Sequence, residues 1–196
     1  MLTRIDHVMI CVPNLKQGIE AYTRIGFGIQ PGGDHTGGGT HNAIAFFRDD
    51  YLELLSVRGG RQHETGATLM DFLARGGGLR YIALQSDDLA ADVAAMRRRG
   101  VDVSEPSDGG RRTPAGQELR WRFARLGPEH PLPILFIQHV TPLAERRRGH
   151  TGGPEHRAGA DLLAAEPHGV RGHARDDGPG AHLDPDTPER ALGASR

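Results

Sequence analysis

Glu53 lies in the run YLELLSV, with Leu52, Leu54 and Leu55 around it. A strand of that composition buries what it carries. An unpaired buried carboxylate is costly, so Glu53 must pair, coordinate a cation or shift its pKa. The stretch that presents it, residues 37–57, runs from a glycine run into one strand, through a tight polar turn at Arg48, Asp49 and Asp50, and into a second strand. Just upstream, residues 32–42 hold His35, Thr40, His41 and Asn42 among glycines. The glycines would let backbone approach a ligand, but no Gly-Lys-Ser/Thr follows, so this is not a phosphate loop. The alternative is a plain hairpin connection made of turn residues. Asn42 stands out, because an amide at a strand start next to the partner strand of Glu53 can orient a polar group. Residues 118–126 alternate Leu119, Trp121 and Phe123 with Arg120 and Arg122. One face is core, and the arginine face either holds an anion bidentately or meets water.

The elements that must position these residues follow from periodicity. Residues 3–12 form a strand that is largely apolar on both faces, hence central, with Ile5, His7, Met9 and Cys11 on one of them. Asn14 opens a helix with Leu15, Ile19, Tyr22 and Ile25 at helical spacing, and Gly26 closes it. A short strand is expected at 27–30, a glycine-rich loop at 31–39, and a hairpin of strands at 42–47 and 51–57. A helix over 67–74 ends at a second glycine run. The first pattern then returns: IDHVMICVPNLKQGIEAYTRIGFGI superposes without a gap on LRYIALQSDDLAADVAAMRRRGVDV, and aspartates 87 and 88 supply the second helix cap. A strand at 101–104, a loop to Gly116, and strands at 118–126 and 132–139 complete the second copy. A repeated unit too small to bury its own face implies two copies packed about a pseudo-twofold axis.

The chain of 196 residues suits one domain with a tail. Ile, aromatic residues and Met are absent after Gln138, which leaves little to offset the entropy of ordering a backbone. The folded unit is therefore set at 1–142 and a disordered tail at 143–196, whose five scattered histidines lack ligand spacing. A net charge of −1 offers no general field for nucleic acid or an anionic membrane. The arginine triplets 97–99 and 146–148 read as solvated clusters, the first at a helix C-terminus. The single cysteine, Cys11, excludes an intrachain disulfide and a multi-cysteine metal site. No run resembles a signal peptide or reaches transmembrane length, so the expected location is cytoplasmic.

With IDHVMICVPNL at the start, GTHNAIAFFRDDYLELLSV closing the first copy and LPILFIQH closing the second, residues 1–141 resemble the glyoxalase-like branch of the vicinal oxygen chelate superfamily. The resemblance implies an α+β fold in which two βαβββ modules, about 1–58 and 78–141, form paired half-barrels around a cleft. It also implies a divalent metal (zinc, nickel, manganese or magnesium) in many members and none in others. Carried over by position, His7 and Glu53 come from the first module. Tyr81 falls where His7 has its counterpart, and the last strand offers Gln138 or Phe136. His7, Glu53 and Gln138 could hold a hard or borderline ion with water. Alternatively, His7 and Glu53 hydrogen-bond each other, with Tyr81 and Gln138 joining the network.

The implied reaction is proton abstraction next to a carbonyl, with Glu53 as base and His7 stabilising the oxyanion, as in a lyase or isomerase. Tyr81 argues against extradiol dioxygenase chemistry and puts glyoxalase I activity in doubt. The competing function is a non-catalytic protein that sequesters a flat small molecule in the same cleft, of the bleomycin-resistance type, with Tyr81 stacking on it. Either would take a small-molecule ligand, and folds of this resemblance often form homodimers.

Overall fold

The computed structural model describes residues 1–147. The tail expected over 143–196 lies outside the described residues from position 148 onward. Strand β1 (Leu2–Cys11) is followed by α1 (Leu15–Arg24) and strands β2 (Gln30–His35), β3 (Thr40–Phe46) and β4 (Tyr51–Val57). A 3-10 turn at Gly60–Gln62 and helix α2 (Glu64–Ala74) lead to β5 (Gly78–Ser86), α3 (Leu89–Arg98), β6 (Ser107–Arg112), β7 (Glu118–Arg125) and β8 (Ile134–His139). A short helical turn, α4 (Leu143–Arg146), follows. Among the described residues, no helix is long and apolar enough to cross a membrane.

The sheet closes on itself in the order β1-β4-β3-β2-β6-β7-β8-β5. The paired half-barrels expected around a cleft are joined edge to edge into one closed barrel. Closure has two seams. β1 runs antiparallel to β5 over most of its length, and β2 meets β6 through Asp34 opposite Arg112 and His35 opposite Arg111. The parallel pairs β1–β4 and β5–β8 occupy corresponding places in the two halves.

Helices α1 and α3 begin at Leu15 and Leu89, the same offset of 74 that aligns the sequence repeat (89 − 15). Their caps follow from side-chain chemistry. The Asn14 side chain accepts from the Gln17 N–H and that of Asp88 from the Ala91 N–H, satisfying donors a helix start leaves free. Helix α1 lays Leu15, Ile19 and Tyr22 on the outward residues Ala43, Ala45, Leu52 and Leu54. Helix α3 packs Leu89 and Val93 against Ala124 and Phe136. Inside the barrel, Ala83, Leu135 and Ile137 pack with Tyr81, Trp121 and Phe123. The parity of β8 is thereby fixed: Leu135, Ile137 and His139 face inward, Phe136 and Gln138 face α3.

Two segments depart from expectation. The strand expected at 27–30 is replaced by β2 from Gln30 onward, through the segment read as a glycine-rich loop, while Phe27 and Ile29 pack under α1. The strand expected at 101–104 reduces to a bridge between Val103 and Leu126, and β6 forms inside the expected loop. Glycine misled both readings. In β2 it serves close approach: a Cβ on Gly33 would fall 1.9 Å from the Arg112 carbonyl oxygen across the closing seam.

Candidate functional site

The barrel encloses a cavity of about 1090 Å³. Its polar wall begins on β1. Adjacent strand residues normally point to opposite faces, yet Asp6 and His7 are both buried, at 1% and 3% exposure. A break in register between Ile5 and His7 along β5 leaves Asp6 as the extra residue of a bulge.

Asp6 receives two imidazoles. Its Oδ1 lies 2.8 Å from His7 Nδ1 and its Oδ2 2.9 Å from His139 Nε2. Burial pushes the Asp6 carboxyl up, but the hydrogen bonds from His139 and His7 outweigh it and hold Asp6 well below the usual carboxylate range. An ionised carboxylate only accepts, so both histidines must donate. That fixes the tautomers: His7 carries a proton on Nδ1 and His139 one on Nε2. Burial also pushes His139 below its ordinary value, against the opposing effect of the hydrogen bond it donates to Asp6.

The other nitrogen of His7 turns to Glu53. His7 Nε2 lies 3.5 Å from Glu53 Oε2, and the His7 ring stacks on Tyr51 with centroids 4.5 Å apart at 15°. Burial, then the nearby Asp6 and Glu53 charges, raise the Tyr51 phenol well above its ordinary value, so it presents a neutral ring. Glu53 itself is 4% exposed. Its Oε1 accepts from Asn42 Nδ2 at 2.7 Å and lies 3.7 Å from His35 Nε2. His35 is set by Thr40, whose hydroxyl is 2.9 Å from Nδ1, and by the edge of Trp121. Burial lowers the pKa of His35, with Glu53 opposing. Arg111, only 6% exposed, donates from its guanidinium to the Gly32 carbonyl and completes this wall.

With Nδ1–H given to Asp6, a neutral His7 points a lone pair at Glu53. Two acceptors at that distance repel unless a proton or a cation lies between them. A proton or a cation placed between His7 Nε2 and Glu53 Oε2 would relieve that contact. Cys11 offers no competing nucleophile, since burial pushes its thiol up to about 12.

A model of the glyoxalase-like domain matches residues 5–167. The chain belongs to the glyoxalase-like domain family. Among solved structures, this glyoxalase-like chain resembles a methylmalonyl-CoA epimerase in complex with methylmalonyl-CoA and ammonium, at 26% identity over 72% of this chain and 97% of that one, with a TM-score of 0.55. A Streptomyces coelicolor methylmalonyl-CoA epimerase variant bound to 2-nitronate-propionyl-CoA is similar at 26% identity, covering 72% and 100%, with a TM-score of 0.54. A hypothetical protein from Staphylococcus aureus shares the fold at 20% identity and a TM-score of 0.62; the match covers 74% of this chain and 62% of that longer one. No curated protein matches.

The metal that the family resemblance implies can be tested against the donors. Met9 pairs with Glu53 across β1–β4, and the repeat offset places Ala83 where Met9 stands. Ala83 pairs with Leu135 across β5–β8 as Met9 pairs with Glu53, so the second-half counterparts of His7 and Glu53 are Tyr81 and Leu135, and neither of them repeats the imidazole or the carboxylate. Gln138, the third donor expected, faces outward: its Oε1 accepts from the Leu89 N–H at 3.2 Å and its Nε2 donates to the Asp87 carbonyl at 2.8 Å. Among the described residues, no three His, Cys, Asp or Glu side chains are arranged to hold a metal ion. The donor set does not fit a dedicated metal centre.

Of the other residues expected at the site, Glu53, His7, Asn42 and His35 come together. Tyr81 lines the cavity away from them. Arg120, largely exposed beside Glu118, lines the rim of the cavity, whereas Arg122 is turned from the interior and faces Asp108 on the outer side, because Leu119, Trp121 and Phe123 take the inward parity of β7. Sequence reasoning missed Asp6, Tyr51, Arg111 and His139. For Asp6 there was a signal, since two polar residues in succession on an otherwise apolar strand imply a bulge.

Proposed function

We propose that the chain is an isomerase or lyase that moves a proton at a carbon next to a carbonyl. The observation that carries this reading is the buried His7–Glu53 pair, with the His7 tautomer set by Asp6, on the wall of a cavity large enough for a small molecule. Glu53 would take the proton through one carboxylate oxygen while Asn42 Nδ2 holds the other. His7, when its Nε2 bears the proton, would donate to the developing oxyanion, and Asp6 would balance the charge on its ring. Asp6 is thus a positioning residue. Two structural neighbours at 26% identity are named epimerases, and epimerisation is removal and return of a proton at one carbon. No step requires a metal.

The test is exchange of the hydrogen next to the carbonyl for deuterium in heavy water, followed by NMR over a panel of 2-oxo acids, acyl thioesters and hemithioacetals. Exchange by the native chain that disappears in Glu53→Gln supports the assignment. Exchange that survives in Glu53→Gln at the native rate removes Glu53 from the chemistry.

A second reading is sequestration without turnover. Tyr81, Trp121 and Phe123 share one inner wall with Leu135 and Ile137, a surface suited to a flat ring. Saturable binding of an aromatic compound, with no exchange or conversion, would select that reading.

A further inference from the structure

Where β5 and β7 wall the cavity, two guanidinium groups meet no carboxylate among the described residues. Arg80 precedes Tyr81 on β5 and Arg125 ends β7; both line the cavity. The Arg80 Cζ lies 4.7 Å from the centre of the Tyr81 ring and 4.9 Å from that of Phe72. The Arg125 Cζ lies 4.5 Å from the Phe123 ring centre and 5.8 Å from that of Tyr81. Tyr81 thus stands next to both cations. Arg58, Arg97 and Arg112, by contrast, each meet a carboxylate. Aromatic faces hold a guanidinium by its plane and leave its N–H edge to bond. Burial lowers Arg125 from its ordinary value, and the charge of Arg80 adds to that shift, so the two cations feel each other. Two like charges held together on rigid rings are the usual provision for an anion placed between them.

The register relates this pair to the carboxylate. Tyr81 lies opposite Met9 on β1, and Met9 lies opposite Glu53 on β4. The two backbones are therefore two strand spacings apart, roughly 10 Å. We propose that Arg80 and Arg125, braced by Tyr81, form a clamp for the anionic group, carboxylate or phosphoryl, of a small organic acid whose reacting carbon lies at Glu53. The clause about the reacting carbon rests on the proton-transfer reading; the clamp does not.

The experiment titrates the full chain at low ionic strength with benzoate, phenyl phosphate and neutral benzamide, reading binding by calorimetry and by melting temperature. Saturable binding of at least one anion, with benzamide at least about tenfold weaker, is expected. Arg80→Gln and Arg125→Gln should each weaken the anion by about tenfold, Arg125→Lys by less, and Arg122→Gln on the outer face not at all. Benzoate the stronger assigns a carboxylate, phenyl phosphate the stronger a phosphoryl group. Equal binding of benzamide, no binding of either anion, or native affinity in the two glutamine variants overturns the clamp. Because binding is read without turnover, failure of the clamp leaves the deuterium-exchange result on Glu53 standing, and the reverse also holds. A glutamine variant that does not melt cooperatively is replaced as evidence by Arg125→Lys together with added salt, which must weaken anion binding and leave benzamide unchanged.

Discussion

His7 Nε2 lies 3.5 Å from Glu53 Oε2 while its Nδ1 is committed to Asp6 at 2.8 Å. One imidazole therefore couples two buried carboxylates, of which Asp6 is the fixed one and Glu53 faces the cavity. Asp6→Asn replaces an acceptor of two N–H bonds with a side chain that can accept at one atom only, so one histidine must change tautomer or lose its bond. The expected loss of stability is about 3 kcal/mol at neutral pH, typical of removing one partner from a buried charged cluster. The acid limb should change too. Because the folded value of Asp6 is depressed, its stabilisation is complete above its unfolded value, about 4, and is lost as pH falls through the folded value. Urea unfolding at pH 7, 4 and 3 should show a steeper acid decline for the native chain than for the variant. If both decline in parallel, Asp6 is not the anion at the centre of this cluster.

The histidines open a separate window. Burial holds His35 and His139 below their ordinary value of 6.5, so the unfolded chain binds protons there that the folded chain refuses. Stability present above about pH 6.5 must then fall as pH drops toward the folded values, by up to about 1.4 kcal/mol per pH unit for each histidine fully held neutral. The urea midpoint should decrease between pH 7 and pH 5, and His35→Gln or His139→Gln should flatten that slope. A midpoint independent of pH across this range would contradict the burial argument for both.

Much of this site follows from the sequence through one relation, the repeat. It brings α1 and α3 to the same offset and makes the inner face of β1 and β4, with His7 and Glu53, readable. It fails on β8 because LPILFIQH is apolar at both parities, so alternation cannot say which face is inside. What decides is α3, whose Leu89 and Val93 claim Phe136 and turn Gln138 outward. Asp6 escaped for a different reason: a bulge breaks the period of two on which the strand argument depends. The glycine-rich strands β2 and β6 were hidden because glycine reads as loop, whereas Gly33 meets a packing demand across the barrel seam.

The outward turn of Gln138 has a measurable consequence. Its two hydrogen bonds tie β8 to the start of α3, so Gln138→Ala should cost about 1 to 2 kcal/mol, the scale of a helix cap plus one further hydrogen bond. Any divalent metal retained by the purified chain should be the same in amount before and after the substitution. Loss of metal on Gln138→Ala, with stability unchanged, would return Gln138 to the cavity and reverse its assignment as a capping residue.

Gly32 controls Glu53 through Asn42. An added Cβ at position 32 would fall 2.1 Å from Asn42 Oδ1, and the same amide donates from Nδ2 to Glu53 Oε1 at 2.7 Å. Gly32→Ala must therefore displace the carboxamide, at an overpacking cost of about 1 to 3 kcal/mol, and release one oxygen of Glu53 from its donor. Asn42→Ala releases the same oxygen but empties the space. In the double variant the methyl group keeps one tight neighbour, Arg111 Nη1 at 3.1 Å, the end of a flexible side chain that need shift by only a few tenths of an ångström. The two losses should therefore not add: the double variant should be about as stable as Asn42→Ala alone. Deuterium exchange should fall in all three variants alike, because each leaves Glu53 Oε1 without the Asn42 bond. Additive losses of stability, or full exchange in Gly32→Ala, would show that the backbone gives way at Gly32 and that Asn42 stays on Glu53.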